Sequence, residues 1–332
     1  MRKRENALLA LKGKKTEYIP CYYDSCQIMM CSAVRESPEP GQLAGYDGYG
    51  VHQSGTDSAG GAYTPTPGHR PVISDIERWR EQLILPDPDE VDWEACVKND
   101  ATFRPVNREA YLQDIFYGKG LFERLHFLMG FEEALVSIMS EPEEVYELVG
   151  AIADNKIRHI EKIARYYKPD VLTWHDDFSH HNGLFFSPEI FREIFKPHLK
   201  RVVDAVHREG MLYKQHCCGK MDALAQDLAD LGIDALDPVQ PMNNVEHIRS
   251  VLGGRAGIVG GLDVQNVIDN KACGEEEIRA EVRRCIDSYG QNGGYMIYGA
   301  SLHLYDRASR LPGGRLYWVC DECEKYGRIS LK

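Results

Sequence analysis

The apolar runs of strand length in this chain finish in polar and ionisable side chains: Asp24 and Ser25; His175, Asp176 and Asp177; His216 and Cys218; Asp237 and Gln240; Asp263; Ser301 and His303. The most chemically loaded is Gln215-His216-Cys217-Cys218-Gly219-Lys220. Side chains alternate along a strand, so His216 and Cys218 share one face and Cys217 takes the other. An imidazole nitrogen and a thiolate presented together make a half-site for Zn²⁺, and a buried cysteine beside a hydrogen-bonded core histidine is the competing reading. The run His175-Asp176-Asp177-Phe178-Ser179-His180-His181 gathers titratable groups at another strand end, ahead of a helix N-terminus that favours anions. Asp177 and His175 are the candidates for moving a proton or orienting a substrate. Asp24, Asp176, Gln240 and Asp263 are candidate substrate-binding groups, although an Asp after a strand also serves as the N-cap of the next helix, above all at Asp263. Cys320 and Cys323 have CxxC spacing without a second pair, and Cys21, Cys26 and Cys31 have no metal-site spacing.

These residues need elements to carry them. From Gly130 onward strands and helices alternate: Leu135–Tyr167 reads as helix with a break near Glu141-Pro142, and Ser187-Pro188 caps and opens a helix that Pro197 should kink and Gly210 should end. Strands are expected at Asp170–His175, Met211–Cys218, Asp234–Val239, Ala256–Gly260 and Tyr295–Tyr298, with helices at Met221–Leu231, Val245–Leu252 and Glu275–Tyr289 between them. Such alternation means right-handed βαβ units and a parallel sheet. Three earlier strands, Ile19–Tyr23, Gly48–His52 and Ile115–Gly118, would close a (β/α)8 TIM barrel. A doubly wound open sheet is the alternative, but no glycine-rich phosphate fingerprint follows any strand. The expected organisation is one barrel domain over residues 1–332, with the irregular Gly/Pro/Ser/Asp-rich segment 31–107 at its mouth. Barrel active sites lie where strands end, which is where the polar set falls.

The chain has 332 residues, 43% hydrophobic and 27% charged, which excludes disorder, collagen and coiled coil. A formal net charge of −12 repels nucleic acid and anionic lipid, so neither is an expected partner. No run approaches the roughly 18 apolar residues of a membrane span, and the basic N-terminus lacks a signal-length apolar core. Ten cysteines without framework spacing suit a reducing cytoplasm. A homodimer stays open.

The order of motifs resembles the uroporphyrinogen decarboxylase superfamily. The similar stretches are Gly130-Phe-Glu-Glu-Ala-Leu with Glu141-Pro-Glu-Glu-Val, Trp174-His-Asp-Asp with Ser187-Pro-Glu-Ile-Phe and Lys196-Pro, His216-Cys-Cys-Gly219, Gly232-Ile-Asp-Ala-Leu-Asp-Pro-Val-Gln240, Gly260-Gly-Leu-Asp263 and Gly293-Gly-Tyr295. The resemblance implies a (β/α)8 barrel and one of two chemistries. Cofactor-independent decarboxylases of the superfamily grip the substrate's acetate arms through an arginine-rich N-terminal segment. The corresponding stretch here has no arginine between Tyr18 and Arg35. The other branch comprises zinc methyltransferases that exchange a methyl group with a corrinoid held on a separate protein, and it carries a His-x-Cys half-site matched by His216 and Cys218. A further cysteine expected near the last strand is absent from Tyr298-Gly299-Ala300-Ser301-Leu302-His303, so either His303 or a carboxylate would complete the shell, or the metal is absent. The resemblance thus implies Zn²⁺, a corrinoid protein partner, and a small methoxy, methylamine or thioether substrate in an anaerobic demethylation pathway, with a cofactor-independent decarboxylase as the alternative.

Overall fold

The computed structural model describes residues 1–39, 41–55, 62–301, 304 and 308–329. In chain order its strands are β1 (Cys26–Met29), β2 (Ala44–Tyr46), β3 (His52–Gly55), β4 (Tyr63–Pro65), β5 (Leu112–Tyr117), β6 (Val171–His175), β7 (Ser179–His180), β8 (Gly183–Leu184), β9 (Leu212–His216), β10 (Ala235–Val239), β11 (Gly257–Gly261) and β12 (Tyr295–Tyr298). One sheet runs β1-β5-β6-β9-β10-β11-β12, parallel throughout. It curls until its edges meet. The Ile297 N–H donates to the Pro20 carbonyl at 2.9 Å, and Cys21 forms a parallel bridge with Ile297. The result is a TIM-type barrel with helices packed around it.

Central strands such as Val171–His175 and Gly257–Gly261 are almost continuously buried because both sheet faces are covered, as parallel sheets require. The helix Pro142–Tyr166 buries one apolar stripe, and the helix Lys196–Arg208 does likewise. The break at Glu141-Pro142 falls as expected, between the helices Phe131–Ser140 and Pro142–Tyr166. Ser187 caps its helix through Oγ, and Gly210 takes the left-handed conformation with φ 78°. Ahead of Pro197 the backbone loosens to a π-turn over Phe191–Phe195, which absorbs the carbonyl clash a proline creates.

Two expectations for the first half need correction. The Ile19–Tyr23 strand is only a bridge at Cys21, because Tyr22–Ser25 coils into one helical turn before β1 resumes the sheet. Gly48–His52 is not a barrel strand. It turns the chain into an antiparallel sheet, β2-β3-β4, within segment 31–107. The described part of that segment also includes the helix Trp93–Phe103.

A buried ionic cluster docks the antiparallel sheet onto the barrel. Arg124 is fully buried, pairs with Asp47 at 2.7 Å and with Glu36, and stacks its guanidinium over Tyr49. Lys156 reaches Glu36 at 2.6 Å from the helix Pro142–Tyr166. No helix among the described residues is long and apolar enough to cross a membrane.

Candidate active site

At the carboxyl ends of β6 and β9 the parallel register sets His175 beside His216, with ring centroids 4.6 Å apart. Phe116, one position before the end of β5, packs against both rings at 4.9 and 5.3 Å. His175, Asp177 and His216 each offer one ligand atom within 4.8 Å of the others. Cys218 joins through its Sγ, 3.5 Å from His216 Nε2. For a tetrahedral ion with Zn–S near 2.3 Å and Zn–N near 2.0–2.1 Å, adjacent S and N ligands lie about 3.5 Å apart. The His-x-Cys pair therefore already has the spacing of a tetrahedral edge. His175 Nε2 lies 3.7 Å from Asp177 Oδ2, and the Cys218 N–H donates to Asp177 Oδ1 at 2.7 Å.

Both histidines are oriented from behind. Glu123 Oε2 forms an ion pair with His175 Nδ1 at 2.6 Å, and His216 Nδ1 lies 3.3 Å from Asp237 Oδ2. Carboxylates on Nδ1 leave Nε2 as the exposed lone-pair donor, which is the outer-sphere pattern of metal-ligating imidazoles. Asp237 belongs to a polar layer inside the barrel: Lys214 pairs with Asp114 at 2.8 Å and with Asp237 at 3.4 Å, while Thr173 and Tyr22 hydroxyls donate to Asp114. Residues of two nitrogen, one sulfur and one oxygen donor type fit a borderline-soft cation such as Zn²⁺.

The electrostatics follow from burial and these pairings. Burial opposes the charged form of His175, but Glu123 and then Asp177 outweigh it and raise its pKa to about 9. Burial also works to raise the Asp237 pKa, but Lys214 and His216 overcome it and hold the carboxyl below its ordinary value. Burial and the neighbouring Asp177 push the Cys218 thiol well up, so that thiolate forms there only beside a cation. Burial, reinforced by Arg124, lowers Lys119 to about 8 against the pull of Glu36.

The cluster opens into a cavity of about 680 Å³ whose walls include Met29, Val34, Phe116 and Phe127, with Lys119, His175 and Asp177 as polar features. Residues of the segment 31–39 and Tyr63 and Thr64 of β4 also line it.

The remaining sequence candidates fall elsewhere. Asp176, adjacent to the cluster in sequence, is fully buried and points the other way. Its carboxylate accepts from the N–H groups of Leu121, Phe122 and Glu123 at 2.5, 3.3 and 2.9 Å, capping the helix Phe122–Met129. That capping also fixes Glu123 behind His175. Gln240 accepts from the Gly219 N–H at 2.6 Å and so braces the turn after Cys218. Asp263 caps the turn Val264–Ile268, accepting from Asn266 N–H at 3.0 Å. Asp24 pairs with Lys3 on the N-terminal helix at 2.5 Å and is not part of the cluster. In each of these placements the side chain ties together parts of the fold. His303 lies outside the described residues. Cys320 and Cys323 sit on the helix Arg315–Ile329, where Cys323 is buried and Cys320 lies 3.7 Å from Cys21.

Sequence reasoning did not single out Glu123. It comes from a helix rather than a strand end, and Phe-Glu-Arg-Leu-His-Phe-Leu-Met reads as an ordinary amphipathic turn. Asp237 stood in the strand-end series, and its register opposite His216 in the β9–β10 pairing is the signal that marks it as a partner.

Residues 122–300, more than half of the chain, match the family model for uroporphyrinogen decarboxylase (URO-D). Over 76 residues the chain is 30% identical to the methylcobamide:CoM methyltransferase MtaA of Methanosarcina barkeri, and 29% identical to MtaA of its strain Fusaro / DSM 804. Each match covers 23% of this chain and only 22% of the relative. A solved methyltransferase from Methanosarcina mazei superposes with a TM-score of 0.67 across 98% of this chain and 99% of that one, at 16% identity, which shows a shared fold.

Proposed function

Because this chain belongs to the uroporphyrinogen decarboxylase (URO-D) family, we propose that it is a methyltransferase that moves a methyl group between a small methylated substrate and a corrinoid carried by a partner protein. The observation that carries this reading is the donor cluster itself: His175, Asp177, His216 and Cys218 meet at the barrel mouth with Glu123 and Asp237 behind the two imidazoles. The local similarity to MtaA supports it.

In this reading His216 and Cys218 hold the metal, with His175 and Asp177 completing the set that the sequence had reserved for His303 or a carboxylate. A Zn²⁺ bound there would act as a Lewis acid, easing departure of an alkoxide or phenolate, or lowering the pKa of a thiol acceptor. The chain's own residues supply positioning. Glu123 and Asp237 fix the imidazole planes, so that both Nε2 atoms face the same point. Asp177 ties the Cys218 main chain to the end of β6, and Gln240 fixes the following turn. Phe116 screens the two rings from water on one side. The apolar walls keep the methyl-bearing end of a substrate dry.

Decarboxylation of a polycarboxylate tetrapyrrole is less well served. Among the described residues Lys119 and Arg35 are the lysine and arginine that line the cavity, and Arg35 is the first arginine after the N-terminal helix. Many substrate carboxylates need many guanidinium partners.

The test combines metal analysis with turnover. Protein purified without chelator should hold about one Zn²⁺ per chain. With cob(I)alamin, or with its corrinoid partner reduced, it should form methylcobalamin from at least one methoxylated aromatic, methylamine or methyl thioether. The reverse reaction, from methylcobalamin to a thiol, belongs in the same panel. Coproporphyrinogen formation from uroporphyrinogen, or silence of the zinc-replete protein in every methyl-transfer assay, would overturn the proposal.

A further inference from the structure

Three cysteines meet at the seam where the barrel closes, away from the donor cluster. Cys21 forms the parallel bridge with Ile297 and is 3% exposed. Its Sγ touches that of Cys320 at 3.7 Å, although the two residues stand 299 positions apart in the sequence. Cys323, one helical turn beyond Cys320, donates through Sγ to the Ile19 carbonyl at 3.2 Å. Gly327 lies so close to Ile19 that an added Cβ would come within 3.2 Å of the Ile19 Cβ. One stripe of the helix Arg315–Ile329, at positions 320, 323 and 327, therefore runs along the stretch Ile19–Cys21. Another flank of that helix is held by Arg279 and Arg283, which pair with Asp321 and Glu322.

All three cysteines are free thiols, and the two in contact differ in access. Cys320 is half-buried and lines a narrow cleft with Lys3, Asp24 and Glu324. Cys21 lines the same cleft but is buried. Contact with Cys320, and then burial, push the Cys21 thiol up, so Cys21 is not the first of the two to attack an electrophile. An accessible thiol in contact with a buried one is the arrangement of an attacking and a resolving cysteine.

We propose that Cys320 and Cys21 form a redox-responsive dithiol, closed by a small disulfide such as glutathione disulfide into an intrachain bond that fastens the last helix to the barrel seam. Cys320 Sγ, as thiolate, attacks one sulfur of the small disulfide, whose S–S bond breaks and releases one thiol. Cys21 Sγ then attacks the Cys320 sulfur of the mixed disulfide and displaces the second thiol. The protein loses two electrons and two protons, and the small disulfide gains them as two thiols. The sulfur atoms have to close by only about 1.7 Å, from 3.7 Å to the bond length of about 2.0 Å. No residue of the donor cluster takes part, so the inference is independent of the methyl-transfer reading.

The experiment exposes the folded, zinc-replete protein to buffers of rising glutathione disulfide to glutathione ratio, followed by alkylation, tryptic digestion and mass spectrometry. The expected product joins peptides 16–35 and 316–325, with fragmentation placing the bond at Cys21 and Cys320, and dithiothreitol reverses it. Cys323→Ser should form the same bond, whereas Cys320→Ser should form none. The bond closes a loop over almost the whole chain, so the oxidised protein should melt roughly 5–10 °C above the reduced one. A bond between Cys320 and Cys323, a mixed disulfide that persists on Cys320, or no linkage short of unfolding each overturns the proposal from the wild type alone. So does an oxidised protein whose Tm is unchanged or lower, since the bond then fastens nothing. A second zinc ion per chain, lost in both Cys21→Ser and Cys320→Ser, would overturn it too, because the sulfur pair would then be a metal site.

Discussion

Glu123 Oε2 lies 2.6 Å from His175 Nδ1, and its helix is set in place by the carboxylate of Asp176, the residue next to that histidine. One dipeptide thus supplies an imidazole to the cluster and anchors the element that orients it. Glu123→Gln should keep the packing but weaken the hold on the ring. We expect Zn²⁺ affinity to fall roughly 10- to 100-fold, the usual effect of losing an outer-sphere carboxylate, read by competition with a chromophoric chelator. Unchanged zinc affinity would remove Glu123 from the site.

Cys217 and Cys218 give an internal control for the metal. Cys218 Sγ approaches His216, whereas Cys217 Sγ faces away and accepts from the Phe178 N–H at 3.3 Å. Cys218→Ser should release most of the zinc. Cys217→Ser should retain it and lose about 1 kcal/mol of stability, from imperfect replacement of one buried contact. Equal zinc loss from both variants, measured by elemental analysis, would rule out the His-x-Cys half-site.

The ionic cluster under the antiparallel sheet sets another expectation. Arg124→Ala would leave Glu36 with Lys156 alone and Asp47 with no cation partner among the described residues. Removing one member of a buried ion set costs about 3–5 kcal/mol. Thermal unfolding should show that loss, and limited proteolysis should cut first within 36–65. A small stability change with an intact proteolytic pattern would mean that apolar contacts, not this cluster, dock the sheet.

Acid sensitivity should have a traceable component at His126. Burial, reinforced by the charge of Arg124, holds its imidazole down at about 4, among Phe122, Phe127 and Phe131. The unfolded chain takes up the proton near pH 6.5, the folded one only near 4. Protonation therefore favours unfolding, and the stability held above pH 6.5 is lost as the pH falls toward 4, by at most about 3 kcal/mol. His126→Phe should flatten the decline in Tm between pH 6.5 and 4. A parallel decline in wild type and variant would assign the acid limb to other groups.

Much of the barrel was legible because its second half is built of apolar runs with glycine stops, and β12 and the helix Glu275–Tyr289 fall where periodicity puts them. His216 and Cys218 were legible through strand alternation. The first half was less so. A single helical turn at Tyr22–Ser25 interrupts the expected strand, and Gly48–His52 joins a sheet whose pairings depend on distant contacts. Lys156 illustrates the remaining difficulty. Within its helix it reads as a solvated lysine, yet it is buried against Glu36, which lies 120 residues earlier in the chain. Periodicity carries no information about such a pairing. Asp176 and Asp177 likewise look equivalent in sequence, and only the direction of the chain after β6 sends one inward under a helix and the other to the cavity.

Gly219 sets the last expectation, because it shapes the turn that presents Cys218. It has φ 96°, and a Cβ there would lie 2.6 Å from the His180 carbonyl oxygen, a backbone atom that cannot swing aside. Its N–H is taken by Gln240 and its carbonyl by Asn243, so the turn has little slack. Gly219→Ala should therefore displace Cys218 and lower zinc affinity although every donor remains. Gly232→Ala is the matched control. Gly232 has φ 83° with nothing near its missing Cβ, so that substitution bears the left-handed strain alone, about 1 kcal/mol, at a helix end outside the donor cluster. Chelator competition on both variants separates the two effects: zinc should be lost from Gly219→Ala and kept by Gly232→Ala. If Gly219→Ala binds zinc as tightly as the wild type, the turn does not position Cys218, and the thiol's place in the cluster is independent of the backbone that follows it.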